Sequence, residues 1–162
     1  MYYFTKEGLE KFKLDFETAK HEYYENMKLN NFDKETNLSE GSSFLFRKNE
    51  LYNRFKQTEK EYNEKINNYI IIEDTDDYIN WTGKTIIRKC EVFLNWNGME
   101  QNFKILGDNE SDLENDIMSC EAPIAKLLLG HKIGDILDFR NNKIEILDIQ
   151  PIKEKKLVKT NK

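Results

Sequence analysis

From Leu9 the apolar residues of this chain recur at Leu9, Phe12, Phe16, Ala19, Tyr23 and Met27, in steps of three and four that gather them on one side of a helix. The same period returns at Leu51, Phe55, Thr58, Tyr62, Ile66 and Tyr69. Between the two stripes Asn30 to Ser43 is polar and poor in helix formers. Two stripes of similar length with a polar turn between them predict an antiparallel helical hairpin whose tip lies near residues 31–43. Gly8 and Gly41 are the only glycines before Gly83, and both prolines, Pro123 and Pro151, come late, so long helices are permitted here. With roughly 30 residues in each arm, at about 1.5 Å per residue, the hairpin would extend about 45 Å. The aromatic side chains on the stripes read as seam packing, and the informative part of such a hairpin is its protruding tip.

The period then changes. Thr85 to Trp96 is rich in β-formers and ends at Asn97-Gly98, a strong hairpin signal, after which Met99 to Leu106 returns as the partner strand. Gly107 to Asp112 reads as a loop and Asp116 to Cys120 as a further strand. Pro123 opens a short helix over Ile124 to Leu129, which Gly130 closes. A last hairpin runs from Ile136 to Arg140 and from Lys143 to Ile149, turning at Asn141-Asn142. The fold class is therefore α+β: a long antiparallel coiled-coil hairpin over 1–76, then a small antiparallel sheet domain with one short helix over 77–152. The basic tail, 153–162, is expected to be frayed.

Composition narrows the function classes. Of 162 residues 38% are hydrophobic and 34% charged, too few apolar side chains for one large core, yet 12% aromatics is too many for a disordered chain. An elongated, surface-rich object satisfies both. The net charge of -5 argues against unassisted nucleic-acid binding by bulk electrostatics. No apolar run approaches the length of a membrane span, and Met1 to Lys6 lacks the layout of a signal peptide. Cys90 and Cys120 form no metal motif and read as reduced thiols of a cytoplasmic protein, while His21 and His131 stand alone. A zinc site and a Cys-His nucleophile are thereby disfavoured.

Two ordered stretches carry a family resemblance. Ile105-Leu106-Gly107-Asp108-Asn109-Glu110-Ser111-Asp112, then Ile117-Met118-Ser119, then Ala122 to Asp135 with Pro123-Ile124-Ala125 and Leu127-Leu128-Leu129-Gly130 at its centre, resemble the Gre family of bacterial transcript-cleavage factors. That family typically has I-V-G-x-x-E-A-D, then I-S, then S-P-I-A-x-A-L-[IL]-G-K-x-x-G-D, and closes on a strand that Lys143 to Ile149 matches. Thr5-Lys6-Glu7-Gly8 through Phe12 is similar to its T-x-x-G-x-x-K-L opening. The resemblance implies that the second half is an FKBP-like domain docking on the rim of the RNA polymerase secondary channel. It also implies that the coiled coil reaches toward the active centre, where tip carboxylates help hold a second Mg²⁺ shared with the polymerase. The polymerase then hydrolyses its own backtracked RNA, so the factor would be an accessory protein with no complete active site, no cofactor of its own and no membrane partner. A monomer is expected.

Residue by residue, the family tip D-L-[SK]-E-N-A-E-Y falls on Asn37 to Phe44. Glu40 matches the functional Glu and is the one metal-directed candidate, whereas Asn37 stands where the Asp should be. Asp33 and Glu35 lie close enough to substitute if the turn is redrawn. An amide oxygen can still ligate Mg²⁺ but cannot offset its charge, so an alternative reading is a Gre-like channel-binding inhibitor. Polymerase docking maps onto Ser119, Cys120, Glu121, Ala122, Pro123, Ile124 and Lys126. Arg47, Lys48 and Arg54 are candidates to face the nascent RNA 3′ end, although 12 basic and 15 acidic residues up to Asp74 favour an ordinary solvated face. Readings of another class are a prolyl isomerase, with Trp81, Phe93, Trp96, Phe103 and Phe139 lining a pocket, and a coiled-coil chaperone.

Overall fold

The structure, a computed structural model, describes residues 1–29 and 38–152, with side chains from 45 onward in the second stretch. Asp33, Glu35, Asn37 and the 153–162 tail lie outside the described residues, and Glu40 is described in its backbone alone. Two compact units emerge: Leu9–Tyr69 with Met1, and Tyr2–Gly8 joined to Ile70 onward.

The first unit is a pair of helices, α1 (Lys6–Leu29) and α2 (Leu38–Ile66). Residues 38–43, assigned to the tip by sequence, are the first turns of α2. The predicted stripes meet as a ladder of rings: Phe12 stacks on Tyr62 at 5.4 Å between centroids, Tyr62 on Phe16 at 3.9 Å, and Phe55 on Tyr23 at 4.4 Å. Rising numbers on α1 meet falling numbers on α2, as an antiparallel pair requires. Stacked and offset rings attract beyond their area burial, by about 0.5–1.5 kcal/mol a pair.

The second unit begins at the N-terminus, not after residue 76. Strand β1 (Tyr2–Phe4) pairs with β2 (Tyr69–Ile71), and a 3₁₀ turn (Ile72–Asp74) and α3 (Asp76–Ile79) follow. The sequence boundary missed this because residues 2–8 carry no period of their own; their partners lie far along the chain. The main sheet comprises β3 (Cys90–Trp96), β4 (Met99–Leu106), β5 (Ile117–Ser119), β6 (Ile136–Phe139) and β7 (Asn142–Pro151), in the order β5-β4-β3-β7-β6. It is mixed rather than wholly antiparallel: β5 runs parallel to β4, with Lys104 opposite Ile117. Helix α4 (Pro123–Leu128) follows β5.

Alternation builds the core. Along β3, Cys90, Val92 and Leu94 are fully buried, while Glu91, Phe93 and Asn95 between them are half-exposed. Ile105, Ile144, Ile146, Ile124, Ala125 and Leu128 join the same cluster. The β3–β4 turn takes Asn97 and Gly98 at φ 52° and 88°, the left-handed pair that a two-residue hairpin needs. The β6–β7 turn sits one residue earlier than expected, at Arg140 and Asn141 with φ 53° and 64°. Asn142 holds it there, its amide donating to the carbonyls of Phe139 and Arg140 at 3.3 and 3.1 Å. Thr85 to Lys89, expected as strand, is irregular apart from one bridge between Thr85 and Lys132.

Candidate functional site

Pro123 sits in the first turn of α4, where its missing N–H costs no hydrogen bond, and Ala122 supplies no side-chain cap. That entry turn divides the sequence-predicted docking residues into two sets. Glu121, Pro123 and Lys126 are exposed, with Ser119 and Ala122 half-buried beside them. Glu121 and Lys126 form an exposed pair at 2.5 Å, and that hydrogen bond raises the Lys126 ammonium above its usual range. Cys120 and Ile124 are buried core residues, Cys120 directly after β5 and Ile124 on the inward side of the first turn of α4.

The Cys120 thiol is pushed up to about 12 by burial, with Asp108 next to it adding to the effect. Asp108, Cys120 and Glu121 bring ligand-type atoms within 4.8 Å of one another. The protonated thiol, and the Arg88 guanidinium that reaches the same sulfur, make the trio a poor cation site.

Sequence reasoning missed the role of a clasp that the two family-like stretches build together. Thr5 precedes α1, and its hydroxyl oxygen accepts from the Gly8 N–H at 2.9 Å, an N-cap. The same residue donates its N–H and its hydroxyl to the two carboxylate oxygens of Glu110, at 2.8 and 2.7 Å. A side chain at Gly8 would collide with that carboxylate, and one at Gly107 with the Tyr3 carbonyl, so both positions are small for want of space. Asp108 accepts from the Tyr3 N–H at 2.9 Å. Alongside, Glu73 receives the buried Lys89 ammonium at 2.7 Å and the Lys6 N–H at 3.2 Å. Burial pushes Glu73 upward, but the Lys89 hydrogen bond and its neighbours outweigh it, leaving the carboxyl below its usual range. Burial wins at Glu110, which is raised. The spacings T-x-x-G and G-x-x-E carried the signal; their meeting across 105 positions did not.

On the hairpin, Arg47 is exposed, Lys48 half-buried, and Arg54 is tied to Glu50 one turn earlier at 2.6 Å. The backbone of Glu40 lies in the first turn of α2. Of the aromatics weighed for an isomerase pocket, Trp81, Trp96, Phe103 and Phe139 pack against the core, Trp96 meeting Phe139 edge-on at 6.0 Å. No described helix is long and apolar enough to cross a membrane.

Comparison with known proteins fits this geometry. The family described as transcription elongation factor GreA/GreB, C-terminal, matches residues 83–151, which take in all of α4 and the five-stranded sheet. Transcription elongation factor GreA of Thermotoga petrophila is 31% identical over 136 residues, 82% of this chain and 84% of the relative. The chain belongs to the GreA/GreB family of transcription elongation factors. The GreA of Thermotoga neapolitana is 33% identical over 137 residues, with the same two shares. Among solved structures, GreA factor homolog 1 (Gfh1) of Thermus thermophilus aligns over 91% of this chain and 97% of its own, at 19% identity and a TM-score of 0.37. The clasp at Thr5, Gly8 and Glu110 gives two of the stretches resembling the family a structural purpose in this chain.

Proposed function

We propose that this Gre-family factor binds RNA polymerase through the exposed side of the β5–α4 segment and inserts its hairpin into the secondary channel, where it stimulates cleavage of backtracked RNA by the polymerase. Membership of the family carries this reading, together with a tip that keeps Glu40. The docking surface is Glu121, Pro123 and Lys126, the exposed members of the segment; Cys120 and Ile124 support it from inside. The factor is an accessory protein, with nascent RNA near its tip in the complex.

Mg²⁺ belongs to the polymerase complex, and this chain's offer to it is modest. Glu40 is one hard carboxylate, Asn37 adds a neutral amide oxygen, and Asp33 and Glu35 are nearby reserves. That donor set suits a minor share of an ion held mainly by a partner. When bound, such an ion activates water and stabilises the leaving oxygen of the RNA. Glu40 would orient and offset charge at its edge. Losing one of two carboxylates costs charge stabilisation, so stimulation is weak and rises with added Mg²⁺ or with Asn37→Asp.

Asn37 also favours a second reading, occupancy of the channel without stimulation. Transcript cleavage on stalled elongation complexes separates the two. Under the first reading the wild type accelerates cleavage and Glu40→Ala abolishes the acceleration while polymerase pull-down is unchanged. Slowed elongation with no gain from Asn37→Asp selects the inhibitor, and strong cleavage surviving Glu40→Ala overturns the placement of the tip.

A further inference from the structure

A cavity of about 350 Å³ opens in the second unit, and Glu121, Pro123 and Lys126 are not among its lining residues. Its walls are mixed: Ile70, Ile72, Ile86, Ile87 and Leu129 form an apolar side, and Thr75, Asp77 and Thr85 add polar groups. One cation lines it. The Arg88 guanidinium lies 3.7 Å from the centroid of the Tyr3 ring, also a wall residue, and its Nε is buried without a hydrogen-bond partner. Its sequence neighbour is treated differently: Lys89 is buried against Glu73, whereas Arg88 forms no salt bridge among the described residues. Asp108 shares the Cys120 thiol with Arg88, yet no ion pair joins the two. A half-buried guanidinium that forms no direct salt bridge and keeps a buried N–H donor without a partner can take up an incoming carboxylate.

We propose that this cavity binds a small carboxylic acid carrying a hydrophobic group, with its carboxylate on Arg88 and its apolar body against the isoleucines. The charge count selects this class. A single cation balances one negative charge, and exposed Asp77 among the lining residues repels a second, which disfavours phosphates and polyanions. The volume lies at the lower end of the range for small-molecule sites, about 300–1,000 Å³, so the body is no larger than one ring and a short chain. An aromatic ring also finds Tyr3 and Tyr78 in the walls.

The probe is phenylbutyrate, titrated into the full chain and followed by amide NMR, with phenylbutanol as its neutral counterpart and inorganic phosphate as the bare anion. Shifts are expected at Thr85 to Arg88, Tyr78 and Gly130. The acid should bind at least about tenfold tighter than the alcohol, a difference of about 1.4 kcal/mol, and phosphate should leave those amides unmoved. Arg88→Gln should bring the acid down to the alcohol's affinity and leave the alcohol unchanged; Arg88→Lys should keep part of the preference. Equal binding of acid and alcohol by the wild-type protein overturns the proposal whether or not the variants fold. Shifts confined to other parts of the chain, or phosphate binding as tightly as phenylbutyrate, also overturn it. None of these readouts involves polymerase.

Discussion

In the hairpin the side chains that meet are rings laid along a seam, and among the described residues of that unit only Leu9 and Phe55 fall below a tenth exposed, at 6% and 8%. Toward its far end Leu29, Leu45 and Phe46 are 68%, 59% and 71% exposed. In the sheet domain Val92, Leu94, Ile105, Ala125, Leu128 and Ile144 are wholly enclosed. A seam is a one-dimensional object, so each pair touches only its neighbours and a loss stays local. A two-layer core couples every member to the rest. The difference explains where the chain can change freely. A seam tolerates a change at one exposed position, whereas α4, half inside a core, cannot vary on its inner side.

The sharpest way to break this comparison is to put a charge on each side of α4. Ile124→Asp buries an unpaired carboxylate and should cost upwards of about 5 kcal/mol, enough to unfold the sheet domain in urea titrations. Pro123→Asp, one residue away and exposed, should change stability by less than about 1 kcal/mol while weakening polymerase pull-down. Equal effects on folding would mean that α4 is not seated as described.

The clasp comes next. Glu73→Gln removes the carboxylate charge that the buried Lys89 ammonium meets at 2.7 Å and should cost up to about 3–4 kcal/mol near neutral pH. The sign with pH follows from the lowered carboxyl. Because Glu73 titrates below its ordinary 4.5 in the folded chain, the stability it contributes is complete above that value and is lost as pH falls through the folded pKa. The gap between wild type and variant in thermal melts should therefore close as the solution is acidified below 4.5. Glu110 works in the opposite sense: burial raises its carboxyl, so its protonated form favours the fold, a contribution present below 4.5 and lost as pH rises through the raised value. Both proteins carry Glu110, and because the Glu73 charge is one of the smaller causes that raise it, most but not all of its contribution cancels in the difference. A gap that widens in acid would contradict the lowered pKa.

Within the seam, Phe55→Ala removes the ring that meets Tyr23 and Phe16 and should cost about 2–3 kcal/mol, less than in an enclosed core. The loss should appear as helical signal fraying while amide exchange in β3 and β7 stays slow. Uniform loss of protection across both units would instead mean that the hairpin and the sheet unfold as one.

These elements also mark how far the sequence could be read. Stripe periods located both helices and named Phe12, Phe16, Tyr23, Phe55 and Tyr62 as seam, because a period of 3.6 residues is a local property. They could not say which ring stacks on which, since a stripe on each arm does not by itself fix the register between the two. Alternation and Asn97-Gly98 located β3 and β4, but nothing in three residues reveals that β5 runs parallel. Arg140 in a left-handed turn was illegible because the bonds that hold it come from Asn142. The clasp escaped for the same reason as the domain boundary: Thr5 and Glu110 are ordinary polar residues until the fold brings them within 3 Å of each other. Burial of Ile124 needed the pose of α4, which a six-residue helix is too short to declare by period.

The smallest effect tests whether Arg54 is available to a partner at all. In the hairpin it is paired with Glu50 at 2.6 Å, on a side of α2 where the two side chains are 75% and 47% exposed. Exposed pairs one helical turn apart contribute only about 0.3–0.5 kcal/mol, against the several kcal/mol that removing one partner of an enclosed pair such as Lys89–Glu73 costs. Glu50→Ala should thus lower hairpin stability by no more than that amount while releasing one cation to the solvent. If Arg54 faces RNA within the polymerase complex, the release should strengthen crosslinking of the 3′ end to this arm, and added salt should erase the gain because both partners are solvated. Unchanged crosslinking, with the same small stability loss, would assign Arg54 to the solvated face and leave Arg47 and Lys48 as the basic residues worth testing.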